Sequence, residues 1–385
     1  MKEEKLERGS EKIKTVYEAE EDKRRQEKFL RMLWKTCFGD SKAYEDFYFQ
    51  TVYLQNKVYT IEDKGMLHLN PYLCRAGKHT EVLNYIVGVA TKENCRRQGI
   101  MRRLLFWALK DMYMSKKPFT YLMPADTRFY EPFSFVSVCS GNKEKMVGSS
   151  CQTDDIIFAD YRQLKVALSA EEWEVLLCRI AEWLDGRFYV FAEHNRKYFD
   201  LMCAEKTCQE GAVIFCFQKE KGPAKASVPG QFLGFFAYVR DGGDVAVEQY
   251  VLSEEDPALA RHMIKQLVSY YFEETQPVTI VHHFPYMVRI VNALSCMEIF
   301  SDCFRGFASN HQTIQLTDSV LTENSGAYLF YLEEGHVVIS KSEYTGLSEE
   351  YPAQTLETVC MTVEELAEYI FCQREGKNVF FAEVV

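Results

Sequence analysis

The chain has 385 residues, of which 47% are hydrophobic and 26% charged, and its formal net charge is −11. This length predicts two or three domains, and the composition is that of an ordinary globular protein with enough apolar residues for a sizeable core. The acidic balance argues against bulk binding to nucleic acid or to an anionic membrane. It suits a cationic substrate, although solubility alone is the simpler explanation of an acidic charge.

Cysteine usage and the N-terminal residues indicate a compartment. The 13 cysteines are scattered without a Cys-x-x-Cys pair, which predicts reduced thiols, mostly in the core, and no metal site. Residues 1–11 form a charged tail without the apolar core of a signal peptide. The sequence contains no apolar run near the roughly 18 residues that a membrane span needs. These features predict a soluble, cytoplasmic protein.

The first 156 residues predict strands and helices in a definite order. A strand is predicted at residues 12–17, a helix from about 21 to 38, and an aromatic helical patch at 44–53. The elements that follow are strands at 57–62 and 66–73 around a turn at 63–65, a strand at 83–91, a helix ending near 114, and a strand at 119–124. A turn that carries Tyr130 completes this region.

Residues 83–105 (LNYIVGVATKENCRRQGIMRRLL) contain the most informative pattern. The β-branched run at 85–91 predicts a buried strand, and Leu104 and Leu105 begin a helical spacing after the polar turn. The free amide groups and positive dipole end of a helix N-terminus bind anions. Because Gly99 has no Cβ, it allows the backbone to approach a ligand closely. The stretch therefore predicts a pyrophosphate site.

A second αβ region is predicted at residues 157–300. Its elements are a helix at 170–184, strands at 212–218, 230–240 and 245–252, a helix at 256–272 and a strand at 278–283, with an exposed hairpin loop at 219–229. The order loosely repeats the first region but lacks an Arg-x-x-Gly loop before its helix. Residues 301–385 predict a hairpin, with strands at 327–333 and 336–340, and a capped helix at 362–372.

The order of elements in the first region, with Arg96-x-x-Gly99-x-Met101, resembles the GNAT superfamily of N-acetyltransferases. The acetyl-CoA loop there reads (Gln/Arg)-x-x-Gly-x-(Gly/Ala), and Met101 departs from its small residue. The succession of three modules resembles the Eis (enhanced intracellular survival) family more narrowly. The stretches that support this are Leu33-Trp34-x-x-Cys37-Phe38-Gly39-Asp40, Val87-Gly-Val-Ala-Thr91, Leu122-Met-Pro-Ala125 and Tyr130-x-x-Phe133.

This resemblance implies an α+β fold built from tandem domains. Residues 1–156 are expected to form a catalytic GNAT domain, including the charged tail at 1–11. Residues 157–300 are expected to form a second GNAT-like domain without the acetyl-CoA loop. Residues 301–385 are expected to form a small α+β domain similar to sterol carrier proteins.

For the cofactor, the resemblance implies acetyl-CoA as co-substrate and no metal. The backbone of the end of the fourth strand is expected to pair with the pantetheine arm, at Val89, Ala90 and Thr91. Backbone amides of the following loop are expected to hold the pyrophosphate, at Arg97, Gln98, Gly99, Ile100, Met101 and Arg102. Ala125 and Asp126 are expected to lie beside the acetyl end.

For catalysis, the resemblance implies that Tyr130 protonates the departing CoA thiolate and that the terminal carboxylate, here that of Val385, accepts the proton of the amine. A phenol with a pKa near 10 suits a strongly basic thiolate. The family pattern has glycine where this chain has Ser134, which allows a different local turn. The sequence shows no Cys/His or Ser/His arrangement, and this favours direct transfer over a covalent acyl-enzyme.

The predicted function is acetyl-CoA-dependent N-acetylation of a primary amine: an aminoglycoside-like compound, a lysine or another cationic amine. Two alternatives stay open at this point. One is a non-catalytic acyl-CoA-binding or regulatory protein on the same fold. The other is a lipid-carrier role for the C-terminal domain, against which its short, polar-rich sequence argues. By resemblance, the protein is expected to be a homo-oligomer, a hexamer.

Overall fold

The computed structural model describes residues 13–16, 20–148, 155–219, 230–241, 243–252, 257–273, 275–342, 357–372 and 378–381. The charged tail at 1–11, residues 220–229 of the predicted hairpin loop, and Val385 lie outside the described residues. Among the described helices, none combines the length and the apolar character needed to cross a membrane.

The strands of the described chain, in order, are β1 (Ile13–Val16), β2 (Lys57–Ile61), β3 (Gly65–Ala76), β4 (His79–Thr91), β5 (Phe119–Leu122), β6 (Val136–Cys139), β7 (Asn142–Met146), β8 (Ile156–Asp160), β9 (Phe188–Ala192), β10 (Ala212–Lys219), β11 (Gly230–Asp241), β12 (Asp244–Leu252), β13 (Val278–His283), β14 (Tyr286–Ile290), β15 (Thr313–Thr317), β16 (Gly326–Glu333), β17 (His336–Lys341), β18 (Thr358–Thr362) and β19 (Asn378–Phe380).

The α-helices of the same residues are α1 (Glu20–Phe38), α2 (Lys42–Phe47), α3 (Ile100–Met114), α4 (Tyr161–Ala167), α5 (Ala170–Arg187), α6 (Arg196–Cys208), α7 (Pro257–Tyr271), α8 (Ala293–Ile299), α9 (Arg305–Ser309) and α10 (Val363–Phe371). Capping residues explain several of the starts. Ser169 and Glu172 form a capping box at α5, and Thr362 and Glu365 form the predicted one at α10.

The chain divides into two compact units. The described residues of the first unit fall within 1–40, 49–138 and 286–379, and those of the second fall within 41–48, 139–285 and 380–385. Two strands near the predicted domain limits at 156 and 300 belong to the other unit. β7 precedes residue 156 but lies in the second unit, and β14 precedes residue 300 but lies in the first. The division into domains 1–156, 157–300 and 301–385 stays a prediction.

The first unit is built on a sheet in which β1, β2, β3, β4, β5, β14 and β6 lie side by side in that order. β4 and β5 are parallel, whereas β2, β3 and β4 form an antiparallel meander and β14 runs antiparallel to β5. The helix α3 buries the side chains expected from its helical spacing, among them Leu104, Leu105 and Leu109. This face fixes the direction in which the N-terminus of α3 points.

The same unit includes a four-stranded sheet, in the order β17, β16, β15 and β18, with β15 and β18 parallel. Helix α10 packs from this part of the chain onto the first sheet, since the rings of Phe371 and Phe119 lie 5.0 Å apart. The predicted hairpin at 327–333 and 336–340 is confirmed by β16 and β17, which pair through Glu333 and His336.

The second unit contains a six-stranded sheet in the order β7, β13, β12, β11, β10 and β8. Its core places Leu267 and Val268 of α7 against apolar side chains of the strands, including Phe236 and Val247. β12, α7 and β13 confirm the predicted strand, helix and strand. The predicted lack of an acetyl-CoA loop before α7 falls on residues 253–256, which lie outside the described residues.

The mixture of helices with largely antiparallel sheets confirms the predicted α+β class. Several elements were not predicted, notably α6, whose N-cap is Asn195, and β14. The prediction that most cysteines are core residues is right for Cys216 but wrong for Cys178 and Cys372, which are exposed. Cys178 lies on α5 away from the buried stripe of Trp173, Leu176 and Ile180, so its helix turns it towards solvent.

Candidate active site

The central feature of the candidate site is a bulge near the end of β4. Met66 of β3 pairs with Ala90, and His68 pairs with Val87, so Leu67 faces two residues of β4, Gly88 and Val89. Gly88 has φ of +62°, and a Cβ at this position would lie 2.9 Å from Cζ3 of Trp34. Glycine is needed here for both the backbone conformation and the close approach of the indole.

Shortly before this bulge, β4 leaves its parallel neighbour. The paired residues of β4 and β5 are Asn84 with Thr120 and Tyr85 with Tyr121, and β5 ends at Leu122. The following residues of β4, up to Thr91, have no paired residue on β5. Their backbone groups on that side are therefore open to an extended ligand that carries amide groups, as an added strand would be. Val89, Ala90 and Thr91 all lie in this open part.

The loop after β4 delivers the chain to the N-terminus of α3. Gly99 is the N-cap residue of α3, with φ of +77° and no side-chain cap, and Arg97 also has a positive φ of 62°. The first helical backbone bond runs from the amide of Arg103 to the carbonyl of Gly99 at 3.1 Å. The amides of Ile100, Met101 and Arg102 therefore precede the helical ladder and point out of the helix end.

The charge at this helix end is positive. Arg96, Arg97 and Arg102 are exposed, and the first turn of α3 contains no acidic residue. Ile100 is buried and Met101 half-buried, so these two side chains anchor the turn while their amides face outward. Free amides, the positive end of the helix dipole and nearby guanidinium groups together favour a pyrophosphate.

The start of the loop is fixed to the β2–β3 turn. The amide of Lys92 donates to the carbonyl of Lys64 at 2.8 Å, and its ammonium contacts Asp63 at 2.6 Å. This hydrogen bond to Lys92 holds the pKa of the Asp63 carboxyl below its ordinary value. The two contacts hold the loop in place without help from a ligand.

The segment after β5 forms two consecutive 3₁₀ turns, Thr127–Phe129 and Glu131–Phe133. Asp126 caps the first turn through the amide of Arg128 at 3.0 Å and pairs with its guanidinium, with Nε to Oδ1 at 2.9 Å. These hydrogen bonds lower the pKa of the Asp126 carboxyl. Asp126 is thus a structural cap and counter-ion rather than a free base, while Ala125 before it is exposed.

Tyr130 joins the two 3₁₀ turns at the carboxyl end of β5. Its side chain is 7% exposed, and its ring lies 5.9 Å from that of Phe135. Burial raises the pKa of the Tyr130 phenol to about 12, because the phenolate would lose its hydration. Within the described residues the hydroxyl makes no hydrogen bond, so the proton is available to a ligand.

The turn after Tyr130 keeps a glycine-like backbone in spite of its serine. Ser134 has φ of +63° and ψ of 32°, the left-handed conformation that glycine adopts without steric cost. Ser134, which stands where the family pattern has glycine, therefore keeps a left-handed turn, at the cost of some local strain.

The structure brings most of the predicted residues to one edge of the first sheet. Because β4 and β5 are parallel, the open end of β4, the loop 97–102 and the turn at 125–130 all follow carboxyl ends of neighbouring strands. Val385 lies outside the described residues, so its predicted role stays a prediction. The described residues contain no group of three or more His, Cys, Asp or Glu side chains arranged to hold a metal ion.

Sequence reasoning singled out Gly99 but not Gly88, although both have positive φ. The signal for Gly88 was its place in an otherwise β-branched run, since an isolated glycine inside a strand indicates a bulge or a close approach. Arg289, the one charged residue of the otherwise apolar strand Tyr286–Ile290, was a similar signal of a special structural role.

A family model supplies the observation that decides the class of protein. Residues 18–137 match the model of the acetyltransferase (GNAT) domain family. The protein is a transferase. The matched segment contains the β4 bulge, the loop at 97–102 and Tyr130, and the match to this family supports acyl transfer in general. No curated protein matches the sequence.

Solved structures show how far the fold of this transferase extends. A conserved protein of unknown function from Enterococcus faecalis V583, described as a probable N-acyltransferase, is similar with a TM-score of 0.68 and 12% identity, over 93% of this chain and 89% of that one. A GCN5-related N-acetyltransferase from Anabaena variabilis has a TM-score of 0.62 and 13% identity, over 92% and 89%.

Eis1 from Mycobacterium abscessus is also similar, with a TM-score of 0.55 and 12% identity, over 93% of this chain and 89% of that one. At such identities the likeness concerns the fold. It spans nearly the whole chain and thus reaches well beyond the segment that the family model matches.

Proposed function

We propose that this transferase is an Eis-like enzyme that moves the acetyl group of acetyl-CoA directly onto a primary amine. The observation that carries the proposal is the separation of β4 from β5 after Tyr85, in the part of β4 that contains the Gly88 bulge and leads to the uncapped N-terminus of α3. A ligand with an extended, amide-containing arm could pair its arm with the open backbone of β4. A pyrophosphate at the end of that arm could bind to the N-terminus of α3 through its negative charge. Coenzyme A has both parts.

The proposed cofactor contacts follow the geometry of this edge. The open backbone of Val89, Ala90 and Thr91 pairs with the pantetheine arm. The amides of the loop bind the pyrophosphate, at Arg97, Gln98, Gly99, Ile100, Met101 and Arg102. The acetyl end lies towards Ala125 and Asp126, next to the turn that carries Tyr130.

In the proposed reaction the neutral amine nitrogen attacks the thioester carbonyl, the C–S bond breaks, and an amide and free CoA form. The hydroxyl of Tyr130 gives its proton to the departing thiolate, while the proton of the amine passes to a base. A phenol whose pKa is raised to about 12 stays protonated at neutral pH and is ready to donate. The terminal carboxylate of Val385 is the proposed base, on the resemblance to the Eis family.

Thiol release in the presence of acetyl-CoA and a panel of amines tests the proposal. Aminoglycosides, lysine peptides and small diamines form the panel, and mass spectrometry of the product confirms an added acetyl group. Amine-dependent release of CoA is the expected result. A protein that binds acetyl-CoA but releases no thiol with any amine contradicts the proposal.

Charge reversal at Arg102 tests the pyrophosphate site. The variant Arg102→Glu places a carboxylate in the first turn of α3, where it repels a phosphate and is itself attracted to the amides. We expect KM for acetyl-CoA to rise about tenfold with little change in kcat, because an anion is opposed but the reacting end is untouched. Steady-state kinetics measures both constants.

Lys116→Glu is the matched control, because Lys116 is exposed just beyond the C-terminus of the same helix and the charge change is identical. Its KM for acetyl-CoA is expected to match the wild type. If the two variants raise KM for acetyl-CoA equally, the effect comes from the overall charge, and the pyrophosphate does not bind at this helix end.

A C-terminal extension tests the role proposed for Val385. Any residues added after Val385 move the terminal carboxylate, so we expect kcat to fall by about tenfold or more while acetyl-CoA binding stays the same. The control carries the same added residues at the N-terminus instead. If the C-terminally tagged protein has full activity, the carboxylate is not the base.

Two further features belong to the proposal. None of the twelve cysteines among the described residues forms a disulfide bond, and the proposal places the protein in a reducing compartment, the cytoplasm. A hexamer follows from the resemblance to the Eis family, and sedimentation equilibrium measures it directly.

A further inference from the structure

A buried ion pair lies behind the turn that carries Tyr130. Arg289 of β14 is 0% exposed in an otherwise apolar strand, and its Nη2 donates to both carboxylate oxygens of Asp318, at 2.8 and 2.7 Å. The side chain of Asp318, which follows β15, is equally buried. Removing two charges from water is expensive, so such a pair is weak evidence for stability as its purpose.

The guanidinium of Arg289 also reaches the backbone of the Tyr130 turn. Its Nε donates to the carbonyl oxygen of Phe133 at 2.8 Å. The amide of Phe133 in turn donates to the carbonyl oxygen of Tyr130 at 2.9 Å. Two successive hydrogen bonds therefore connect the buried cation to the backbone of the proposed acid.

Asp318 fixes the orientation of this guanidinium because it is itself fixed. Its Oδ1 accepts the amides of Val320 at 3.0 Å and Leu321 at 2.9 Å, and its Oδ2 accepts Nδ2 of Asn324 at 2.9 Å. Asn324 is also tied to the chain between β14 and α8, since it donates to the carbonyl of Val291, directly after β14, and accepts the amide of Ala293, the first residue of α8, each at 2.9 Å. The carboxylate can move little without breaking this network.

The Tyr130 turn has little internal stability of its own. It consists of 3₁₀ turns of three residues each and ends at Ser134 in a left-handed conformation that costs about 1 kcal/mol or more for a residue with a side chain. A turn of this kind keeps one geometry only when its surroundings hold it. The planar guanidinium, which donates in fixed directions, is well suited to that task.

We infer that Arg289 and Asp318 are positioning residues for Tyr130, and that the chain after β15 thereby supplies a part of the active-site scaffold. The inference rests on the proposed role of Tyr130 as the acid. It assigns to the loop at 318–324 a function in catalysis that does not require contact with substrate.

The test is a double-mutant cycle between Arg289→Lys and Tyr130→Phe. Lysine keeps the charge next to Asp318 but, as a shorter point donor, cannot also serve the carbonyl of Phe133. We expect R289K alone to lower kcat about 10- to 100-fold with KM for acetyl-CoA unchanged, as a misplaced catalytic group does. In the Tyr130→Phe background the same change is expected to alter kcat less than twofold, because the hydroxyl that it misplaces is already gone.

Lys206→Arg is the matched control. Lys206 lies in the second unit, is buried, and contacts Glu205 at 3.1 Å and Glu248 at 2.8 Å, so the variant likewise exchanges one cation for the other in a buried ionic cluster. Its effect on kcat is expected to be small and the same in both backgrounds. If R289K lowers kcat by equal factors in both backgrounds, its effect is purely structural and the inference is overturned.

A second variant covers the case in which R289K fails to fold. The double variant Arg289→Met with Asp318→Asn removes both charges together, so neither is left buried alone. Its effect on kcat is compared in the wild-type and Tyr130→Phe backgrounds in the same way, with the same expected and contradicting results. The cycle also separates the two proposals. Full activity of Tyr130→Phe refutes the acid role itself, whereas a wild-type kcat of R289K beside an inactive Tyr130→Phe refutes only the positioning.

Discussion

Replacing Tyr130 by phenylalanine is expected to lower kcat by about 100- to 1,000-fold, the usual contribution of a general acid, while the affinity for acetyl-CoA stays within about twofold. Phenylalanine keeps the ring that packs on Phe135 at 5.9 Å and removes only the hydroxyl. No described residue hydrogen-bonds this hydroxyl, so the described part of the chain loses no hydrogen bond. Steady-state kinetics with thiol detection, and the thermal midpoint of unfolding, measure the two effects.

The pH profile gives the same prediction a second readout. The neutral phenol is the donor, and burial raises its pKa to about 12, so the donor form is fully present below that value and is lost only as the pH rises through it. We therefore expect no alkaline decline of kcat near pH 10, where an ordinary tyrosine titrates. A decline centred near pH 10 that disappears in Tyr130→Phe indicates an exposed phenol and contradicts the burial.

Tyr271→Phe is the control for this variant. Tyr271 lies in the second unit, and burial also raises the pKa of its phenol. Its replacement removes the same hydroxyl from a half-buried site outside the candidate site, so kcat is expected to stay at the wild-type value. Wild-type kcat in both variants removes Tyr130 from its proposed role.

Replacing Gly88 by alanine is expected to lower the free energy of unfolding by about 2–4 kcal/mol and to raise KM for acetyl-CoA at least about tenfold. The new Cβ meets the left-handed φ of +62° and lies 2.9 Å from the indole of Trp34. Trp34 cannot yield easily, because it is 2% exposed and its Nε1 donates to Asp40 at 2.8 Å. In Gly88→Ala the bulge must therefore flatten, and this changes the shape of the open edge of β4.

Gly39→Ala separates backbone strain from this overlap. Gly39 has a similar φ of +73°, but an added Cβ finds no heavy atom within 4 Å. We expect a loss of about 1 kcal/mol in the free energy of unfolding and no change in KM. Urea denaturation and acetyl-CoA titration compare the two variants. If Gly88→Ala binds acetyl-CoA as tightly as Gly39→Ala does, the bulge does not shape the cofactor site.

The sequence by itself determined the local parts of the site. The β-branched run before a glycine-containing turn and an amphipathic helix predicted β4, the loop and α3, because period and capping depend on neighbours in the chain. The loop residues at 97–102 and the position of Tyr130 after β5 were accessible in the same way. Even the helix α10 followed from Thr362 and Glu365, which lie three residues apart.

Only the tertiary structure decided how these parts become a site. The bulge depends on Trp34 packing against Gly88, and the raised pKa of Tyr130 depends on burial by the folded chain. The contact of Arg289 with Phe133 joins residues 156 positions apart. Sequence pattern is blind to such pairs, because register, burial and ionic contacts are set by which distant residues meet in space. The proposed pyrophosphate site could thus be predicted from one stretch, whereas the geometry of the proposed acid is a property of the whole first unit.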